Sequence, residues 1–243
     1  QWDVVCLQET KMTDERFPYE AFKELGYHAL HAGQPSYNGV AILGRIQRFH
    51  SVALVHAALP YREDPQQRFL LAKLDDLYVG NVYVPNGQAL ESDKYRYKLQ
   101  WIDDLIQFLA EKGWCTLPFA LLGDFNIAPA DADVHDPGLW QGKVLCGDEE
   151  RKRFSRLLEL GLQDAFRKLH PESAHYTWWD YRQLAFQKNK GLRIDHILVS
   201  DALAPRLKAC EILRQARKSE KASDHAPVVL TLASTASCDR LQD

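Results

Sequence analysis

Four acidic residues stand where buried strands should begin or end. Glu9 directly follows the apolar run Asp3-Val-Val-Cys-Leu-Gln8, and Asp124 directly follows Phe119-Ala-Leu-Leu-Gly123. Asp195 interrupts Leu192-Arg-Ile-Asp-His-Ile-Leu198, and Asp224-His225 directly precedes a late apolar run at 227–232. A carboxylate beside a strand core is costly unless it is paired or binds a cation. Several of them converging make an oxygen-rich cage suited to Mg²⁺, which takes one or two carboxylates plus water and substrate phosphate. A histidine beside them can hydrogen-bond a carboxylate through one ring nitrogen and offer the other to a phosphate oxygen. Each motif also has a bland reading. Gly123-Asp124 can be a turn, Asp124-x-Asn126 an Asx closure, and Tyr83-Val-Pro-Asn86 a strand ending at a proline. The bland readings would have to hold independently at four or five strand ends, which makes them a poor account of the whole set.

The elements that must carry these groups can be read from apolar patterning. The runs at 3–8 and 39–43 are expected to be strands buried on both faces. Phe69 to Leu74 and Leu77 to Tyr83 flank Asp75-Asp76 as a hairpin. Tyr97, Trp101, Leu105, Phe108 and Leu109 recur at helical spacing within 94–112, and Gly113 fits a C-terminal stop. A second amphipathic helix runs over 149–160 and closes at Gly161, and late strands follow at 192–199 and 227–232. Strands with intervening helices give a single mixed α/β domain over residues 1–232. Residues 233–243, small and polar, are expected to form a disordered tail.

The 243 residues are 46% hydrophobic and 26% charged, ordinary values for a globular protein with a full-sized core. No apolar run approaches the ~20 residues that span a bilayer, and residues 1–9 read as a strand and its polar end, not a signal peptide. Five scattered cysteines, never in a Cys-x-x-Cys pair, argue for reduced thiols and a cytoplasmic location and against zinc. The net charge of −3 excludes a bulk polyanion binder. Basic residues nevertheless gather at 151–170, 181–193 and 206–221, as solvated faces or as a surface for nucleic acid.

Taken together, Leu7-Gln-Glu-Thr-Lys11, Tyr37-Asn-Gly-Val40, Tyr83-Val-Pro-Asn86, Gly123-Asp-Phe-Asn-Ile-Ala-Pro129, Asp133-Val-His-Asp136, Tyr176-Thr-Trp-Trp-Asp-Tyr-Arg182, Gly191-Leu-Arg-Ile-Asp195 and Ser223-Asp-His-Ala-Pro-Val228 resemble the exonuclease III family of abasic-site endonucleases. That family lies within the endonuclease/exonuclease/phosphatase superfamily. The motifs come in the family's order and cover nearly the whole chain. The resemblance implies a four-layered αββα sandwich of two mixed sheets flanked by helices, with the active site at one end. It implies a monomeric nuclease dependent on Mg²⁺ (or Mn²⁺). Its substrate would be double-stranded DNA, cut 5′ to an abasic site, with trimming of 3′-blocked ends.

Carried over by resemblance, Glu9 is the metal-binding glutamate and Asp224 supports the metal site. Asp124 activates the attacking water, Asn126 aligns the phosphate and this aspartate, and His225, held by Asp195, contacts the scissile phosphate. The Tyr83 hydroxyl lies at that phosphate. Trp178, Leu192 and Ile194 match the pocket for the extruded abasic sugar, while Tyr37, Asn86, Arg68, Arg182 and Asn189 match contacts to the DNA backbone. The family's opening strand and helix, with an asparagine beside the metal glutamate, have no counterpart before Asp3. In the family that strand lies between those matching 4–8 and 227–232. These two are therefore expected to show unpaired edges, to draw together or to be bridged by another segment, in a chain of marginal stability. Two other readings are a superfamily phosphatase or phosphodiesterase on a lipid or small phosphate ester, and an inert DNA-binding remnant. If Asp124 is the proton acceptor, Asp124→Asn should lower kcat by ~10²–10⁴-fold while DNA affinity holds or rises. Activity within a few-fold of wild type would place the base elsewhere.

Overall fold

The computed structural model describes residues 1–234. In chain order its strands are β1 (Val4–Gln8), β2 (Tyr27–Ala32), β3 (Val40–Arg45), β4 (Val52–His56), β5 (Phe69–Leu74), β6 (Leu77–Tyr83), β7 (Phe119–Asp124), β8 (Leu162–Asp164), β9 (Asp195–Ser200), β10 (Leu207–Ile212) and β11 (Val228–Leu232). The α-helices are α1 (Tyr19–Glu24), α2 (Asp93–Lys112), α3 (Pro137–Trp140), α4 (Asp148–Glu159) and α5 (Ala165–Leu169).

Six strands form one mixed sheet in the order β4-β5-β6-β7-β9-β8, with β6 and β7 parallel and the other neighbours antiparallel. Its inner strands are apolar on both faces because both faces are covered. Phe69 and Leu71 of β5, with Val82, Phe119, Leu121 and Leu198, pack on Trp101, Leu105, Phe108 and Leu109 of α2 and Phe154 and Leu157 of α4. Leu70, Ala72 and Leu74 point the other way, onto Val40 and Ile42 of β3, Ala32 of β2 and Val4 and Cys6 of β1. Beyond that second layer, Phe17 and Phe22, the latter on α1, cover Ala41, Leu43, Val5 and Leu7. The order is helix, sheet, sheet, helix.

The second β layer is in two antiparallel pieces, β1-β3-β2 and β10-β11. Among the described residues β1 pairs only with β3 and β11 only with β10, so each carries the unpaired edge expected of it. This corrects one reading: β1 is half-buried along its length, not closed on both faces. The hairpin at Asp75-Asp76 forms, with Asp75 supplying the positive φ of 53° that a glycine would otherwise provide. Helix α2 starts at a Ser92 cap, whose side chain accepts from the Tyr95 N–H at 3.1 Å, and stops at Gly113 in the left-handed region. The tail expected at 233–243 lies outside the described residues except for Ala233 and Ser234.

One buried polar side chain joins the two β layers. Asn81, in the middle of β6 and fully buried, donates through Nδ2 to the Leu7 and Ala41 carbonyls, both at 2.9 Å. Its Oδ1 accepts from Gln8 Nε2 at 2.7 Å. Asn81→Leu keeps the approximate volume and strands all three partners, each costing about 1–3 kcal/mol when buried. The urea midpoint should fall by the equivalent of at least about 2 kcal/mol with an unchanged slope. An unchanged midpoint would mean that the layers are held in register by apolar packing alone.

Candidate active site

Three strands end, or begin, at the same level. Tyr83 is the cross-strand partner of Asp124 on β6 and β7, and Asp124 is the partner of Asp195 on β7 and β9. In-register neighbours project on the same side of a sheet, so phenol and two carboxylates leave one end of the sandwich together. Asp195 opens β9 where the sequence pattern placed it inside a longer strand. The reason lies upstream: the N–H groups of Ile194 and Asp195 both donate to Thr177 Oγ1 at 3.0 Å, drawing that stretch off the sheet. Gly123 aims Asp124. Its φ is +137° and a Cβ there would lie 2.0 Å from the Val82 carbonyl oxygen, so no other residue fits.

Asp124 is buried, and its carboxylate is bound on both oxygens. Oδ1 accepts from the Asn126 N–H at 2.8 Å, and Oδ2 from Asn126 Nδ2 at 3.0 Å. The Asx closure expected of this motif therefore forms. Asn126 Nδ2 also reaches the Val84 carbonyl at 2.9 Å, and Asn126 Oδ1 accepts from Asn86 Nδ2 at 3.0 Å. His225 Nδ1 lies 2.8 Å from Asp195 Oδ2 and 3.1 Å from Oδ1, and its Nε2 lies 4.0 Å from Asp124 Oδ2. Burial alone would lower the His225 pKa. The charge and hydrogen bond of Asp195, with Asp124 and Asp224 nearby, outweigh it and push the imidazole up to about 10. Burial lifts the Asp124 carboxyl, and Asp195 lifts it further, against the pull of His225, the Asn126 N–H and Lys98; it stands raised to about 7.

Glu9 arrives from the other β layer. Its carboxylate accepts from the Tyr83 hydroxyl and pairs with Lys11 Nζ at 2.8 Å. Burial works to raise the Glu9 pKa, but the hydrogen bonds from Lys11 and Tyr83 hold it below the ordinary value. Burial and the hydrogen bond to Glu9 raise Tyr83 well above the usual phenol range, so it is a neutral donor. Glu9, Lys11 and Asn126 all have positive φ, 55°, 56° and 50°. The turn at Glu9 and Lys11 is pinned by Thr10 N–H to the Gly39 carbonyl at 3.2 Å and Lys11 N–H to the Asn38 carbonyl at 2.9 Å.

The ligand atoms of Asp124, Asp195 and His225 all lie within 4.8 Å of one another, a group of the size that holds a metal ion. Within that group His225 Nδ1 is already turned to the Asp195 carboxylate. Further carboxylate oxygens come from Glu9, whose charge is met here by the Lys11 ammonium, and from Asp224, whose field Lys11 also feels. A set of carboxylate oxygens of this kind fits a hard divalent cation.

Asp224 Oδ2 accepts from Trp178 Nε1 at 2.9 Å, which joins the expected sugar-pocket residue to the expected metal site. Leu192 and Ile194 do not line an opening. They are 0% and 2% exposed, packed with Val134, Ala128, Leu145 and Cys146, and of the three expected pocket residues Trp178 alone is part-exposed. Tyr37 and Asn189 are exposed, and Asn189 Oδ1 accepts from Trp179 Nε1 at 3.3 Å. Arg182 is exposed but paired with Asp180 at 2.7 Å. Arg68 lies over the Tyr83 ring, 4.7 Å from its centroid, and donates to the Tyr83 carbonyl at 3.0 Å. Much of the basic residue count is consumed internally. Arg153 and Arg156 pair with Asp103, and Arg167 with Asp133. Arg193, 1% exposed, binds Asp133 at 2.7 Å and Asp164 at 2.8 Å. Sequence reasoning gave no role to Lys11, Asn81, Thr177 or Lys98. Lys98 alone carried a signal, a cation three residues before Trp101 and seven before Leu105 on the apolar face of α2.

The family described as endonuclease/exonuclease/phosphatase matches residues 1–225. The chain belongs to this family. It is 39% identical to exodeoxyribonuclease III of Haemophilus influenzae over 241 residues, 94% of this chain and 89% of that one. It superposes with a TM-score of 0.88 on a 3′ phosphatase from Neisseria bound to a product DNA hairpin, at 45% identity over 96% of this chain and 89% of the other. An AP endonuclease from Archaeoglobus fulgidus gives a TM-score of 0.89 at 35% identity, over 96% and 89%. For this endonuclease/exonuclease/phosphatase chain the Asp195–His225 pair can be tested in metal-free buffer. His225, raised in the folded state, contributes stability that is complete below its ordinary value near 6.5 and is lost as pH rises toward about 10. Asp195→Asn should return the imidazole toward that ordinary value in an NMR titration and remove stability below it. An unmoved titration would show that Asp195 is not what holds the charge.

Proposed function

We propose that the chain is a DNA-repair nuclease that hydrolyses the phosphodiester 5′ to an abasic site and trims 3′-blocked ends, on double-stranded DNA and with Mg²⁺ or Mn²⁺. The observation that carries this reading is the single level at which Tyr83, Asp124 and Asp195 leave the sheet, with His225 beside them. The names of the relatives, an exodeoxyribonuclease III, a 3′ phosphatase on DNA and an AP endonuclease, support the same class of substrate.

In this reading Asp124, raised to about 7, takes the proton of the attacking water near neutral pH. Asn126 holds that carboxylate and its amide orients the phosphate. His225, charged through Asp195, points Nε2 at the phosphoryl oxygens, where negative charge grows in the transition state. Tyr83 donates a neutral hydroxyl. Glu9, with Asp224 beside it, would hold the metal ion, which when bound supplies charge for the phosphoryl oxygens and leaving group. Asn86, Arg68, Tyr37, Arg182 and Asn189 would follow the DNA backbone. We read the chain as a monomer, and as cytoplasmic because its four described cysteines are free thiols.

Cleavage of an abasic duplex that requires added Mg²⁺ tests this function. Hydrolysis of a phosphoinositide in its place would support the phosphatase reading, and DNA binding without turnover the inert one. Trp178→Ala should reduce abasic cleavage more than it reduces binding of undamaged duplex, since an extruded sugar is met only at the lesion. The salt dependence of binding, set by phosphate contacts, should not move. Equal losses on both substrates would make Trp178 a packing residue.

A further inference from the structure

Lysine is almost never fully buried unless it is paired, yet Lys98 is 0% exposed on the inner face of α2. Its three ammonium protons have three acceptors. One is the carboxylate of Glu150, also 0% exposed, at the first turn of α4. The others are backbone carbonyls, of Asn126 at 2.7 Å and Asn86 at 3.1 Å. Glu150 is fixed in turn, its Oε1 accepting from the Leu145 N–H at 3.1 Å and its Oε2 from the Gly147 N–H at 2.7 Å. One cation thus binds the loop that follows β6 and the turn that follows β7.

Both segments carry the site. The Asn126 peptide whose carbonyl Lys98 holds belongs to the residue that grips both oxygens of Asp124, and the Asn86 side chain grips Asn126 Oδ1. Asn126 stands at positive φ, so its position depends on such tethers. We propose that Lys98 is a positioning residue of this active site: its ammonium, anchored by Glu150, holds the Asn86 and Asn126 carbonyls and so fixes where Asp124 and the Asn126 amide meet the substrate. The proposal rests on the nuclease reading for its kinetics and on geometry alone for the tether.

Lys98→Met leaves Glu150 buried without its cation and should melt early, so the decisive variant is Lys98→Met/Glu150→Gln, which removes the charges as a pair. It should still fold cooperatively, at a lower melting temperature, because the Asn86 and Asn126 carbonyls lose their donor and one of the Leu145 and Gly147 N–H groups loses its acceptor. Its kcat on abasic duplex should fall by ~10–10²-fold, the scale of a displacement of about 1 Å at reacting groups. KM should stay within about three-fold, since the lost contacts are not to DNA. The Asn126 amide should exchange at least about ten-fold faster, while Leu71 in β5 keeps its protection. A folded double variant with near-wild-type kcat and unchanged exchange at Asn126 would overturn the proposal. So would failure of both variants to fold, which would make Lys98 a folding residue only. If the wild type cleaves no abasic duplex, the nuclease reading falls by itself, and the exchange measurement still decides the tether.

Discussion

The carboxamide of Asn81 is the constraint on which the geometry of the site depends. A buried donor or acceptor left unpaired costs about 1–3 kcal/mol, so Asn81 must find partners. It finds them in the backbone of the opposite layer, at Leu7 and Ala41. Two apolar sheets packed face to face have no strong preference for how far one slides along the other. Directional bonds to two carbonyls remove that freedom. Two residues beyond Leu7 lies Glu9, and two beyond Asn81 lies Tyr83, so the contact between Glu9 and Tyr83 is a consequence of the same lock.

Within the large sheet the ladder does the equivalent work. A slip of one residue between β7 and either neighbour would turn Asp124 to the other face from its partner. Buried ions then hold the loops that the ladder does not reach. Arg193, Asp133, Asp164 and His196 tie the segment after β7 to β9, with His196 Nε2 against the Ile127 carbonyl at 2.8 Å. Since Arg193 must donate to His196 Nδ1, the ring proton sits on Nε2 and the bond to Ile127 is a donated one. Such networks are weak stabilisers, because desolvation offsets most of the Coulombic gain, but removing one member is expensive. Their effect here is placement more than stability.

The main strands and helices and the convergence of the acids were legible because they follow from strong local signals: apolar runs of strand length, helical spacing and carboxylates at strand ends, whereas the layer order came only through the family resemblance. What stayed hidden depends on partners distant in sequence. Asn81 lies in an apolar strand and its partners are 74 and 40 residues away, so its type alone could not reveal a bridge. Leu192 and Ile194 look alike in sequence whether they line an opening or lie in the core, and here both are buried. Basic residues counted along the chain suggested a cationic face, but Arg153, Arg156, Arg167 and Arg193 answer acids brought beside them by folding. Asp195 was placed within its strand because a side-chain acceptor such as Thr177 leaves no periodic trace.

Glu9, Lys11 and Asn126, non-glycine residues at positive φ around the catalytic carboxylates, bear on how this sequence can change. A backbone held in that region costs on the order of 1–3 kcal/mol per residue, less for asparagine, and glycine would relieve it. A search for thermostability that is blind to turnover would therefore be drawn toward glycine at positions 9 and 11, which would erase the carboxylate and its counter-cation together. Selection for a sturdier molecule and selection for a working one pull in opposite directions at those two positions.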